Sequence, residues 1–289
     1  MFRKRIRSSR AVEETRREYA VKAALISGVF VAMVCIASFT AHLPEVRIAT
    51  IQIEGAVLTS QEALHTSIAA QLDGAYVWIF PRNATAIYPK QTILKDILDS
   101  FPSITMVHLE REGSTSLVAT VGERAPAYLW CGDASPATKA SHREECYFTD
   151  TEGVVFLRAP SFSDGIYMKL YMPVLGEAVR PLATYPQPLG MRLMESDRFL
   201  RLMHFAQSLE GEGVFVTSIS CDVQKDCTLT LKNGVPLMIA SDTALEVALR
   251  NLFATIETGK VTLDDLTMAR RRFDYIDLRF DKKVFLKEQ

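Results

Sequence analysis

The run AALISGVFVAMVCIASFTA, Ala23 to Ala41, is nineteen residues without a charge. As a helix at ~1.5 Å per residue it reaches about 28 Å, close to the ~30 Å hydrocarbon core of a bilayer, so it is long enough to cross once. The 22 residues before it carry eight Lys or Arg (Arg3, Lys4, Arg5, Arg7, Arg10, Arg16, Arg17, Lys22) against three Glu. The positive-inside rule predicts a cytoplasmic N-terminus and places His42 to Gln289 outside. A cleavable signal peptide fits less well, because its apolar region is usually ~7 to 15 residues and a cut after Ala41 would set bulky Phe39 at the minus-three position. A buried core helix would show a polar stripe, whereas this run offers only Ser27, Ser38 and Thr40.

Residues 1–22 then read as a basic, disordered tail held near anionic lipid. About 250 residues remain for the exterior, enough for two domains of modest size. Removing the eight basic and three acidic tail residues from the chain's 33 and 34 leaves 25 against 31, an exterior net charge of about −6. Such a surface does not suggest nucleic acid or an anionic polymer as ligand.

Of five cysteines, Cys35 lies in the span; Cys131, Cys146, Cys221 and Cys227 are exterior. In an oxidising compartment neighbours are expected to pair, Cys131 with Cys146 and Cys221 with Cys227. Loop-closure entropy gives the longer loop about 3 kcal/mol and the shorter somewhat over ~2. A zinc site from Cys131, His142 and Cys146 lacks a fourth ligand and any C-x-x-C spacing.

Along the exterior, Ile51 and Ile53 alternate in a strand that Gly55 ends, and Thr59-x-x-Glu62 reads as a capping box. Leu64, Ile68 and Leu72 give the helix a buried face, with Gly74 as its C-cap. An extended run, Ala75 to Phe80, leads to a second helix from Pro89, with Ile93, Leu94, Ile97, Leu98 and Phe101 as its apolar stripe. Strands follow over 104–111 and 116–123. The segment 158–190 holds five prolines and no clear period, so it reads as an irregular surface connection. Next come a helix over 195–209 with Leu200, Met203, Ala206 and Leu209 on one face, and strands over 214–221, 227–232 and 235–240, the last two joined at Asn233-Gly234. Ser241 or Asp242 caps a helix bearing Leu245, Leu249, Leu252, Phe253 and Ile256; 261–272 is mostly polar; strands over 275–280 and 283–286 end the chain.

The order strand, two helices, two strands directly after one membrane anchor resembles a POTRA domain. Ile51-x-Ile53-x-Gly55, Phe101-Pro102-x-Ile104, Arg111, Leu117-x-x-x-Val121-x-Glu123-Arg124-x-Pro126-Ala127 and Trp130 are similar to the FtsQ/DivIB family of bacterial cell-division proteins. Phe148-Thr149-Asp150-x-x-Gly153-Val154-x-Phe156, Pro173-Val174-Leu175-Gly176 and Asp277-Leu278-Arg279-Phe280 extend that resemblance to the C-terminus. A departure from the family is the Cys131 to Cys146 insertion. The resemblance implies an α+β protein: tail 1–22, transmembrane helix 23–41, POTRA domain 46–124 and a β-rich domain 125–289 with an antiparallel sheet and flanking helices.

It further implies a non-enzymatic scaffold at the division septum, without cofactor, metal or small-molecule substrate. Its expected partners are the FtsB- and FtsL-type bitopic coiled-coil proteins and other divisome components. The partner site carried onto this sequence is Phe280, Asp281, Lys282, Lys283 and Phe285, where a last strand with an open edge accepts a partner strand. The family usually has Ser or Gly in the turn that here holds Lys282 and Lys283, and this Lys pair also reads as a guard against self-pairing of the edge. Glu123, Arg124 and Pro126 are read as fixing the junction between the domains.

Among enzymes, an anchored sortase-like thiol transpeptidase would use Cys221 or Cys227 as nucleophile and His204 as base. The second nearby Cys and the POTRA-like segment argue against it. There is no G-x-S-x-G elbow, H-E-x-x-H helix or phosphate loop, and His42, His65, His108, His142 and His204 are scattered. An outer-membrane assembly factor would need a barrel of at least ~8 strands, for which the chain has no room.

Overall fold

A computed structural model of the chain describes residues 9–132, 145–161, 165–175, 188–241, 243–268, 272–280 and 283–289. The uncharged run lies within one helix, α1 (Ser9–Ala41), of which Arg16–Ala41 is long and apolar enough to cross a membrane. Leu25, Val29, Phe30, Met33 and Ile36 are all exposed along it, as lipid-facing side chains are and core side chains are not. The chain divides into two compact units, one made of 1–100 with 106–122 and the other of 101–105 with 123–289.

The first unit adds β1 (Thr50–Glu54), α2 (Gln61–Leu72), β2 (Ala75–Tyr76), β3 (Phe80–Pro81), α3 (Lys90–Ser100), β4 (Ile104–Glu112) and β5 (Ser116–Glu123). β5 lies between β1 and β4, and β1 runs parallel to it with Ile51 opposite Leu117 and Ile53 opposite Ala119. A parallel pair needs a long crossover, which the two helices supply. Leu64, Ile68 and Leu72 recur every fourth residue and are buried, and α2 packs against α3, whose Ile93 and Ile97 are buried in turn. Leu98, expected on that stripe, is exposed.

Two local expectations are corrected here. The cap of α2 is Ser60, whose Oγ accepts from the Ala63 N–H at 3.3 Å, while Thr59 is buried one residue earlier. Adjacent Thr and Ser both suit a cap, and packing of Thr59 selects the second. The run Ala75 to Phe80 is a hairpin, with Ala75 opposite Pro81 and Tyr76 opposite Phe80. Its turn holds Val77 at φ 49° and Trp78 at φ 65°, left-handed conformations that cost a non-glycine residue ~1–3 kcal/mol each. Without Asn or Gly at those places, the sequence carries no turn signal.

The second unit contains β6 (Tyr128–Trp130), β7 (Tyr147–Thr149), β8 (Val155–Arg158), β9 (Lys169–Tyr171), α4 (Ser196–Gly211), β10 (Val216–Cys221), β11 (Cys227–Leu231), β12 (Pro236–Ile239), α5 (Leu245–Glu257), α6 (Leu263–Thr267), β13 (Phe273–Phe280) and β14 (Lys283–Glu288). One nine-stranded sheet runs β14-β13-β12-β11-β10-β9-β6-β7-β8. α4 packs on α5 and β10, and α5 on β13 and β14. The resulting core joins Phe199, Leu202 and Leu209 to Ile219, Leu229, Leu237, Leu252 and Ile276. Leu129 and Trp130, adjacent on β6, fall into different clusters: Trp130 joins this core and donates its indole N–H to the Met172 carbonyl at 2.8 Å, and Leu129 joins Phe148, Phe156 and Tyr171.

Three further readings change. The segment 158–190 contains β9, which pairs in parallel with both β6 and β10 and buries Leu170 and Tyr171. Three residues are too few to show a period, so prolines nearby hid it. On α4 the buried residues include Phe199, Leu202 and Phe205, and Leu200 is exposed, because the apolar arc is wider than one row and is centred elsewhere. α5 starts after Ala244, three residues beyond Ser241, and Asp242 lies outside the described residues; within the polar stretch 261–272 α6 is opened by a capping box of Thr262 and Asp265.

Cys131 is disulfide-bonded to Cys146, and Cys221 to Cys227. Cys221 and Cys227 lie directly opposite in the β10–β11 register, with Cα atoms 4.1 Å apart.

Candidate functional site

Among the described residues β14 is the terminal strand of the sheet and pairs only with β13. One side of it is anchored, since Val284 and Leu286 pack on the core and α5 lies against it. Alternation sends Phe285 to the other face. There its ring meets that of Phe280 edge to face at 4.9 Å between centroids, and the two side chains are 45% and 49% exposed. Lys283 pairs with Phe280 across the strand ends; Asp281 and Lys282, the other two expected contact residues, lie outside the described residues.

The opposite edge of the sheet differs. At β8 the Val155 N–H donates to the Met191 carbonyl at 2.9 Å and the Val155 carbonyl accepts from the Gly190 N–H at 2.7 Å, with a further bridge between Val154 and Arg192. The chain's own segment thus occupies that edge at its start, while β14 presents a row of main-chain groups with no strand beside it among the described residues.

The Asp-Leu-Arg-aromatic motif acquires a structural reason. The register of β13 against β14 shifts between Asp277 and Phe280. Within that bulge Arg279 donates to Asp277 three times: from its main-chain N–H at 3.0 Å and Nε at 2.9 Å to Oδ1, and from Nη2 at 2.7 Å to Oδ2. This fork holds the bent end of β13 and sets the approach of Phe280 to Phe285. The i, i+2 spacing of an acid and an arginine on one strand face was the signal available in the sequence. Salt bridges from Lys287 to Asp274 (3.1 Å) and from Arg272 to Glu288 (2.8 Å) line the same edge.

The Arg279 hydrogen bonds hold the Asp277 carboxyl below its ordinary value; burial opposes them and loses. A depressed carboxylate contributes stability that is present above its unfolded value of ~3.9 and disappears as pH falls through the folded one. Urea midpoints of the wild type are therefore expected to fall off below about pH 4. Asp277→Asn should be less stable at neutral pH with a shallower acid limb; parallel limbs would mean that other carboxylates govern the acid loss.

The remaining expected residues are dispersed. Glu123 and Pro126 are half-buried. Arg124 donates from Nε to the Pro102 carbonyl at 2.9 Å and forms an ion pair through Nη1 with Asp150, whose Oδ1 accepts from the Glu152 and Val154 N–H groups at 2.9 Å each; all of these residues belong to the second unit. No family model and no curated protein matches this chain. Cys221 and Cys227 are bonded to each other, and His204 is exposed on α4. Among the described residues no group of three or more His, Cys, Asp or Glu is arranged to hold a metal ion, and His142 lies outside them.

Proposed function

We propose that this chain is a single-pass, non-enzymatic scaffold of the FtsQ/DivIB kind, whose β14 edge takes up a strand from a bitopic division protein of the FtsB or FtsL type. On this reading the N-terminus is cytoplasmic, the first unit is a POTRA domain, and the second is the extracytoplasmic binding domain at the septum. The observation that carries it is the contrast between the two sheet edges, one occupied by residues 190–192 and the other, among the described residues, open beside an exposed aromatic pair. A partner strand would gain main-chain hydrogen bonds from the edge and selectivity from covering Phe280 and Phe285. The strand sequence and the helix α1 supply the rest of the support.

The test is photo-crosslinking in cells from position 285, with position 282 as a second probe. The expected adduct is a small single-span coiled-coil protein. A blank from both positions in correctly inserted protein would remove β14 as the docking edge, and adducts to cell-wall sorting substrates would favour a transpeptidase instead.

A further inference from the structure

We infer that the β2–β3 hairpin tip is a second membrane contact, inserting Val77 and Trp78 into the outer leaflet beside α1. The inference is independent of what β14 binds and rests on α1 as the anchor. Val77 is 82% and Trp78 96% exposed, at a turn held in left-handed conformations. Large apolar side chains kept outward on a strained backbone need a surrounding that is not water.

The surrounding is identified by where the tip is tied. Ser38 Oγ, on the uncharged run itself, donates to the Ile79 carbonyl at 2.9 Å, and α1 packs against β3. Ser38 stands six residues beyond Ala32, the midpoint of the run, which is about 9 Å along the helix axis. With the run centred in the bilayer, that is inside the ~15 Å half-thickness of the hydrocarbon core. Ile79 therefore sits at lipid depth with its carbonyl satisfied by α1, as that medium requires, and Trp78 is the next residue, ~3.8 Å away between Cα atoms. Trp is the side chain most suited to the boundary between acyl chains and headgroups. Behind the tip, the Arg82 guanidinium lies 5.6 Å from the centre of the Tyr76 ring, a cation beside an aromatic face. One helix alone leaves its attached unit free to swivel; a helix and a hairpin tip together fix the unit's height and rotation against the bilayer.

The chain has two tryptophans, and Trp130 is buried, so Trp78 can be read separately. The full chain is placed in phosphatidylcholine nanodiscs with and without bromine near the top of the acyl chains, and the emission of Trp78→Phe is subtracted from that of the wild type. The expected result is loss of most of the Trp78 component in brominated discs and little quenching by aqueous iodide. Quenching by iodide and none by bromolipid would overturn the proposal and put the tip in water, open to a soluble partner. Failure of the chain to elute with the discs would overturn both this proposal and the anchor reading.

Discussion

Gly55→Ala is expected to destabilise the first unit by about 3 kcal/mol or more, from left-handed strain and overpacking together. Gly55 follows β1 at φ +84°, and a Cβ there would stand 2.2 Å from the main-chain carbonyl oxygen of Val121. That oxygen belongs to β5, the central strand of the three-stranded sheet, so it cannot swing aside as a flexible side chain would. Gly74→Ala is the control: its φ of +87° carries the same strain, but nothing lies within 4 Å of the added Cβ. Urea unfolding of the full chain in detergent should give a clearly larger loss for Gly55→Ala. Equal losses would show that the approach of β5 relaxes at no cost.

Asp150→Ala should cost the second unit about 3–5 kcal/mol, the usual penalty for stripping one partner from a buried ion pair. The Asp150 carboxylate is 10% exposed and does two jobs at once, pairing with Arg124 and accepting two N–H groups that shape the turn before β8. Asp150→Asn separates them, because its amide oxygen can still accept the turn hydrogen bonds while the charge is gone. The expected order of thermal midpoints is wild type, then Asp150→Asn, then Asp150→Ala. A double variant with Arg124→Ala should lose less than the sum of its parts, since it no longer leaves a guanidinium unpaired. Additive losses would show that Arg124 and Asp150 act separately.

Long, periodic elements were legible in the residues. Nineteen uncharged residues specify the part of α1 from Ala23 to Ala41, though the helix begins at Ser9 and takes in residues 9–22, read as a disordered tail, because an established helix propagates one hydrogen bond per added residue; the alternation of Leu117, Ala119 and Val121 specifies β5, and Asn233-Gly234 specifies a turn whose Gly234 has φ +85°. What escaped was set by distant partners. β9 is a strand because β6 and β10 flank it, and the Val77–Trp78 turn is held against local preference by its neighbours. At the candidate site, residues 280–285 could be pointed to by resemblance. That one sheet edge would be occupied by residues 190–192 depends on contacts across more than thirty positions of sequence, which no local pattern encodes. The Asp277–Arg279 fork lay in a quoted motif, but its purpose became visible only with the bulge it holds.

β9 also joins the two halves of the second unit's sheet. Its residues pair with Leu129 and Trp130 on one side and with Ser218, Ile219 and Ser220 on the other. The strands on either side are stapled, β6 to β7 through Cys131–Cys146 and β10 to β11 through Cys221–Cys227. The two stapled halves therefore meet along a short seam, and a shared core of Trp130, Leu170 and Ile219 closes over it.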